Sequence, residues 1–415
     1  MTANGQGAAH EALLAELRGM LDEPMDVARE RERALLAELT AKPDMPVVLF
    51  GAGNLGRRTL ELLRAHGQSA AAFIDNAGGL WGTVVDGIPV LSPADASVRY
   101  AADGLALVTI WRAEGGHDFL VTRENLRNLG WGRVESFIPL FWGYGADALP
   151  YITIDVPTKV LVAREDILAA AALWSEDRSL REYVNQVRWR LTADFAALSP
   201  AEPDQYFAED LVQVGPDEVF VDCGAFTGDT LLDVARRVGS WRAYHAFEPD
   251  PASFAALQAV VAALPEPLAG RVHVQRAATS DRPGKAWFNA TGLGSAGLSG
   301  AGTYAVDCVA IDDAVTGPPP TFIKMDIEGA EAAALAGARG AIQDGQPLLA
   351  IAAYHKQADL WELPCLVRAM WPDYCMFLRS HAGEGFDTVL YAMPPERLVG
   401  AADGRRSSRA GPTVS

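Results

Sequence analysis

The chain has 415 residues, 49% of them hydrophobic and 21% charged, and its 53 acidic against 35 basic side chains leave a net charge of −18. That length predicts more than one domain with ample core, and the acidic balance argues against a surface that tracks nucleic-acid phosphates, which needs clustered Lys and Arg. No stretch reaches the roughly eighteen consecutive apolar residues of a membrane span, and the first ten residues lack a basic region followed by an apolar run, so no signal peptide is expected.

Residues 1–45 read as a helical segment. Leu13, Leu14, Leu17, Met20 and Leu21, and again Leu35, Leu36 and Leu39, follow the spacing of an amphipathic helix, with Pro24 as an interruption. Such a stripe packs on the next domain or on a second copy of the chain, so a homo-oligomer is one expectation. Residues 46–150 then alternate strand and helix. The apolar run Pro46-Val47-Val48-Leu49-Phe50 leads into Gly51-Ala52-Gly53-Asn54-Leu55-Gly56, a helix to about His66 follows, and a strand ending at Ile74 meets Asp75. Gly-x-Gly-x-x-Gly at a strand-to-helix turn, with an acid at the end of the next strand, predicts a Rossmann-like nucleotide-binding module. Gly51, Gly53, Gly56 and Asp75 are its candidate ligand residues. Strands at residues 105–110 and 134–138 continue the alternation.

Residues 151–215 read as a helical linker or lid. Within it, Pro203-Asp204-Gln205-Tyr206-Phe207 is either a surface loop with an anchored aromatic pair or a lid over a ligand, which makes Tyr206 a candidate substrate residue. Residues 216–395 resume the α/β pattern. The strand Val219-Phe220-Val221 ends at Asp222, turns through Gly224 and Gly228, and enters a helix near Thr230; the next strand, Tyr244 to Phe247, ends in Glu248 and Pro249. Glycines let backbone approach a ligand, and a terminal acid can accept both hydroxyls of a ribose. Gly-x-x-x-Gly spacing suits S-adenosylmethionine better than a pyrophosphate. Asp222, Gly224, Phe226, Gly228, Asp229, Thr230, Glu248 and Pro249 form the expected donor-binding set, joined by Ala277 beyond the strand Val272 to Gln275. The Gly/Ser tract Thr291 to Gly297, with Ser295, reads as a mobile loop that closes over a substrate. Residues 396–415 read as a disordered tail. The scattered Cys223, Cys308, Cys365 and Cys375 form no Cys-x-x-Cys and read as reduced thiols of a cytoplasmic protein.

A second cluster lies in Phe322-Ile323-Lys324-Met325-Asp326-Ile327-Glu328-Gly329-Ala330-Glu331, expected as a central strand that breaks into a helix at Gly329. Strands buried on both faces are normally apolar throughout. Here alternation places Lys324, Asp326 and Glu328 on one face, approaching the sheet edge where open α/β proteins bind ligands. A cation and two carboxylates held there without a use would be costly. The strand Leu348 to Ala353 follows and ends in Tyr354-His355-Lys356, which brings His355 beside the acidic strand.

The runs Val-Asp-Cys-Gly-Ala-Phe-Thr-Gly-Asp-Thr at 221–230, Phe-Glu-Pro-Asp at 247–250, Ile-Lys-Met-Asp-Ile-Glu-Gly-Ala-Glu at 323–331 and Tyr-His-Lys at 354–356 resemble the FkbM family of S-adenosylmethionine-dependent methyltransferases. The resemblance spans about residues 206–393. It implies a class I methyltransferase fold and transfer to a hydroxyl oxygen, on a sugar or polyketide. By motif matching, Asp222, Gly224 and Gly228 would line the methionine moiety and Glu248 would take the ribose. Lys324, Asp326, Glu328, Glu331 and His355 would fall in or near the acceptor site. Phe226 departs from the family's usual small polar residue. The module at 46–150 separately resembles Rossmann-like units found beside bacterial sugar-modifying enzymes, and its ligand, a dinucleotide, a nucleotide-sugar or none, stays open.

The fold class expected is therefore α/β, two doubly wound domains joined by a helical segment. The expected function is O-methyl transfer to a hydroxyl of a sugar, glycan precursor or related small molecule, with no nucleic-acid partner. A sugar hydroxyl is a poor nucleophile, so a general base is required: His355 or Asp326, with Glu328 an alternative and Lys324 orienting. The spacing demands no metal, although Asp326 and Glu328 could hold Mg²⁺ through oxygen ligands. The rival readings are an NAD-dependent sugar-nucleotide oxidoreductase or epimerase, which lacks any hydride-site motif here, and a non-enzymatic nucleotide-binding scaffold.

Overall fold

A computed structural model describes residues 3–112, 117–288 and 304–398. The expected mobile loop with Ser295, and the tail from residue 399 onward, lie outside the described residues. The chain divides into two compact units, one made of residues 1–168, 180–201 and 382–387, the other of residues 169–179, 202–381 and 388–415. The helical stretch expected as a linker is thus shared between them. No helix among the described residues is long and apolar enough to cross a membrane.

In the first unit, helices Ala3–Leu21 and Met25–Ala41 are separated at Pro24, whose ring cannot continue the first and which sits as the extended cap of the second. Leu13, Leu17, Leu21, Leu35 and Leu39 are buried. The sheet follows from β1 (Val47–Phe50), β2 (Ala72–Ile74), β3 (Val84–Val85), β4 (Ile88–Leu91), β5 (Leu105–Val108) and β6 (Val134–Ser136). Its order is β3-β4-β2-β1-β5-β6, parallel except for the β3–β4 pair. Strand β6 is shorter than expected because a helix with Pro139 in its first turn, Ile138–Tyr144, begins directly after it. The connection reverses direction between β2 and β5 on either side of β1, the point where such sheets open a crevice. A Cβ on Gly56 would stand 1.9 Å from the Gly51 carbonyl oxygen, so only glycine lets the helix Asn54–Ala65 start this close to the strand end.

The second unit contains β7 (Val219–Cys223), β8 (Ala243–Phe247), β9 (Val272–Gln275), β10 (Ala278–Thr279), β11 (Gly284–Phe288), β12 (Tyr304–Val309), β13 (Phe322–Met325), β14 (Leu348–Ala352), β15 (Cys375–Ser380) and β16 (Thr388–Met393). Its main sheet runs β15-β16-β14-β13-β7-β8-β9, with β16 antiparallel to both neighbours, and β10, β12 and β11 make a small second sheet. In register, Cys223 lies opposite Phe247 on one side and Met325 on the other, and Met325 lies opposite Ile351. The residues that follow these four strands therefore emerge along one edge. Phe207 stacks on Phe322 at 5.4 Å within a core that includes Phe220, Tyr244 and Tyr391. Order extends past residue 395, where the tail was expected to begin: Pro395–Arg397 is a short turn, and Arg397 donates to Glu218 at 2.7 Å and to the Thr321 carbonyl at 2.8 Å.

One buried side chain on β8 sets an acid limit on this unit. His245 is 3% exposed and stacks on His273 at 4.9 Å, and burial, then the neighbouring imidazole, pushes its pKa down to about 4. A folded-state pKa below the unfolded value means the neutral ring favours folding above pH 6.5, and that this contribution is lost as pH falls toward 4. Replacing His245→Phe should shrink the loss of stability between pH 7 and pH 4.5 by about 2 kcal/mol, read from urea midpoints at both pH values. Equal pH sensitivity in both proteins would remove His245 as the cause.

Candidate active site

The turn after β7 carries three residues in the left-handed region, Gly224 (φ 80°), Phe226 (φ 44°) and Gly228 (φ 90°). At Gly224 the requirement is sharp: a Cβ there would lie 1.9 Å from the Asp326 carbonyl oxygen, where the ends of β7 and β13 converge. This glycine serves the close approach of two strand ends as well as any ligand. The turn is closed by Glu248, which is 5% exposed. Its Oε2 accepts the Phe226 backbone N–H at 2.8 Å and its Oε1 the Asp250 N–H at 2.7 Å. Each carboxylate oxygen keeps further acceptor capacity. The contact at position 226 is made by backbone, so a phenylalanine in place of a small polar residue does not disturb it. Ala277 and Thr230 are buried, Pro249 is half-buried, and Asp229 is exposed as the first residue of helix Asp229–Val238.

Lys324, on β13, is 4% exposed. Its Nζ donates to the Gly224 carbonyl at 2.6 Å, pairs with Asp222 Oδ1 at 3.0 Å, and sits 5.2 Å from the centre of the Tyr206 ring. The other oxygen of Asp222 accepts the Tyr244 hydroxyl at 2.7 Å. Burial opposes the ammonium charge, but Asp222, then Asp326 and Asp229, hold its pKa above the ordinary lysine value. Asp222 and Lys324 are thus bound to each other inside the sheet, linking β7, β8 and β13 beneath the turn. The sequence reading set Lys324 facing an acceptor and Asp222 along the donor. The structure pairs the two across adjacent strands, with Lys324 also bound to the Gly224 carbonyl.

Past Met325 the chain leaves the sheet, and Glu328 (φ 56°) and Gly329 (φ 93°) turn it into a helix that starts at Glu331, two residues later than expected. This turn and the end of β14 surround His355. Its Nε2 lies 3.1 Å from Asp326 Oδ1 and 3.7 Å from Glu328 Oε2, and its Nδ1 lies 2.8 Å from Glu331 Oε1. That same Glu331 oxygen accepts the Ile327 and Gly329 backbone N–H groups at 3.0 and 3.3 Å. Tyr206 donates its hydroxyl to Asp326 Oδ2 at 2.5 Å. Burial works against a charged imidazole, yet Glu331 and Asp326 raise the His355 pKa well above its usual value. The same contacts, with Lys324 and Tyr206 adding to His355, pull Asp326 far below the carboxylate range against the effect of its burial. Glu328 goes the other way: burial first, then Asp326 and Glu331 over the opposing pull of His355, lifts it to about 7.

The structure therefore brings together Tyr206, Asp326, Glu328, Glu331 and His355. Glu331, expected near an acceptor, is fully buried and holds His355 and the 327–329 turn. Asp359 was missed: it is 5% exposed, accepts the Lys356 N–H at 2.8 Å, and is raised to about 7 by burial and then by Glu331. Its signal was an acid four residues past His355, at the start of helix Asp359–Met370. Donor atoms of Asp326, Glu331 and His355 lie within 4.8 Å of one another, a set that leaves out Glu328, the other acid expected to hold a cation. Gly51, Gly53, Gly56 and Asp75 belong to the first unit, where Asp75 Oδ2 accepts the Ala52 N–H at 3.0 Å.

The model of the methyltransferase FkbM domain matches residues 222–383. Among solved structures, a methyltransferase FkbM from Methylobacillus flagellatus KT aligns over 93% of this chain and 99% of its own, at 24% identity and a TM-score of 0.74. A precorrin-6y C5,15-methyltransferase from Geobacter metallireducens GS-15 covers 45% of this chain and 83% of its own, at 14% identity and a TM-score of 0.29. No curated protein matches the chain. The first of these likenesses is one of fold, and it extends over nearly the whole chain.

Because Asp222 is buried against Lys324, removing the ammonium strands a carboxylate. Lys324→Met should destabilise the protein by about 3–5 kcal/mol, and adding Asp222→Asn should restore part of that loss. A Lys324→Met urea midpoint equal to wild type would show that the pair carries no stability.

Proposed function

We propose that residues 222–383, which match the model of the methyltransferase FkbM domain, are the catalytic part of an S-adenosylmethionine-dependent methyltransferase, and that the chain methylates a hydroxyl oxygen of a sugar, glycan precursor or related small molecule. The observation that carries this reading is the pairing, on one sheet edge, of the Glu248 cradle after β7 and β8 with the His355 cluster after β13 and β14. The cradle suits the methyl donor, since a buried carboxylate with spare acceptor capacity matches a ribose diol. The cluster suits a polyol, because the partly exposed carboxylates of Asp326 and Glu328 can accept its hydroxyls. The domain assignments that go with this reading are a nucleotide-binding module at 46–150 and the methyltransferase domain at 216–395. The four free cysteines accord with a reducing, cytoplasmic setting.

The donor supplies a methyl carbon activated by an adjacent sulfonium, so displacement at that carbon needs alignment and exclusion of water more than covalent help from the protein. What this chain must add is removal of the acceptor's proton. His355 is held as an imidazolium and has no free lone pair, and Asp326, bound to His355 and Tyr206, is too weak a base. Glu328 is the base: its carboxyl is partly exposed at 26% and its affinity for a proton is balanced near neutrality. It takes the hydroxyl proton as the oxygen–carbon bond forms and the carbon–sulfur bond breaks. His355 and Glu331 position it, and Lys324 positions the donor turn.

Glu328→Gln should lower kcat by about 10²–10⁴-fold with S-adenosylhomocysteine affinity unchanged. In wild type, kcat should rise with pH through about 7 as Glu328 loses its proton, and this inflection should vanish in the variant. A variant that keeps wild-type turnover removes Glu328 from the reaction. Glu248→Ala should abolish binding of S-adenosylhomocysteine by calorimetry; retained affinity would overturn the donor site itself.

A further inference from the structure

The first unit repeats the hydrogen-bond device of the Glu248 cradle, in a place that methyl transfer does not use. Asp75 ends β2 as Glu248 ends β8. One Asp75 oxygen accepts a backbone N–H from the glycine turn after the preceding strand, Ala52 at 3.0 Å, where Glu248 takes Phe226 at 2.8 Å. The other Asp75 oxygen accepts the N–H two residues on, Ala77 at 2.8 Å, where Glu248 takes Asp250 at 2.7 Å. The carboxylate is oriented by the turn, and each oxygen still has a lone pair to offer.

Two side chains add what a nucleotide would need beyond a diol acceptor. Trp81 is 48% exposed, an unusual setting for the largest apolar side chain, and its Nε1 donates to the Asp75 carbonyl at 2.8 Å, which fixes the indole against the 75–78 turn. Arg57 follows Gly56 directly; its side chain is 51% exposed, its Nε donates to the Ala52 carbonyl at 3.3 Å, and its nearest acid, Asp86, is 3.7 Å away. A rigid exposed ring on the 75–78 turn, with an oriented carboxylate and a loosely paired guanidinium against the Gly51–Gly56 turn, match a base, a ribose and a phosphate. We propose that the first unit binds a ribonucleoside diphosphate, with its ribose hydroxyls on Asp75, its base on Trp81 and its phosphates at the Gly51–Gly56 turn beside Arg57. Dinucleotides and nucleotide-sugars share this chemistry. The proposal rests on and deepens the assignment of residues 46–150 as a nucleotide-binding module; methyl transfer at the Glu248 cradle does not depend on it.

The test uses the full chain with excess S-adenosylhomocysteine, so that the Glu248 cradle cannot take the probe; the heat of that first binding reports separately on the donor site. NAD⁺, UDP-glucose and ADP are then titrated by calorimetry and by tryptophan fluorescence. At least one should bind, and the pattern among the three tells a dinucleotide from a nucleotide-sugar. Its 2′-deoxy counterpart should bind wild type about tenfold or more weakly, as should the parent probe to Asp75→Ala. Trp81→Phe should remove the fluorescence change while keeping binding. The deoxy comparison leaves the protein intact, so it decides the matter even where Asp75→Ala fails to fold. No binding of any probe up to about 1 mM, or equal affinity for ribo and deoxy forms, overturns the proposal.

Discussion

The second unit depends on one buried ion pair. Lys324 and Asp222 lie on adjacent parallel strands, and the lysine also ties the Gly224 carbonyl, so a single ammonium fixes the end of β13 to the turn that follows β7. Burying two charges costs several kcal/mol per ion unless every partner position is filled. Here the remaining Asp222 oxygen takes the Tyr244 hydroxyl, so the cost is offset by a network across three strands. What it secures is geometry. The left-handed turn at 224–228 can close on Glu248 only if its first carbonyl is anchored, and Gly224 is anchored from below by Lys324 and bounded from the side by Asp326.

Charge is distributed unevenly on the other side of that strut. Asp326, Glu328, Glu331 and Asp359 outnumber the cations His355 and Lys356 in the same neighbourhood. Such a group cannot all ionise in a low-dielectric setting, and the proton goes where the compensation is weakest. Asp326 touches the imidazole directly and is held below the carboxylate range; Glu328, farther from it at 3.7 Å, and Asp359 are the two lifted toward neutrality. Of this pair Glu328 is the more exposed, and its backbone is held in a strained region, which is common where a turn aims one side chain at a reacting group. The acid–base assignment is thus a consequence of distances to one ring, not of residue type.

Much of this was legible in the sequence. Gly-rich turns after apolar strands, each followed by a strand ending in an acid, located both sheets and the residues Gly224, Glu248, Gly56 and Asp75, because strand-end chemistry is local. The alternation of Lys324, Asp326 and Glu328 marked the right segment. It did not give their partners, which come from other strands: Lys324 pairs with Asp222 on β7, and Asp326 meets His355 past the end of β14. The direction of the His355 shift was beyond reach for a different reason. Whether a histidine serves as base or cation depends on which acids face each ring nitrogen, and Glu331 meets Nδ1 only because the 327–329 turn folds back. Asp359 was overlooked because nothing in a helix start distinguishes a capping acid from one that joins a charged cluster.

The glycine motifs have a physical meaning that a ligand-centred reading hides. At Gly56 and Gly224 an added Cβ would strike a backbone oxygen of the same protein at 1.9 Å, so these positions would demand glycine even with no ligand bound. What the turn can offer a ligand is the carboxylate, because an acid oriented by two backbone N–H groups keeps further acceptor capacity on each oxygen. Both units keep such an acid, Asp75 in one and Glu248 in the other, with partners in matching positions.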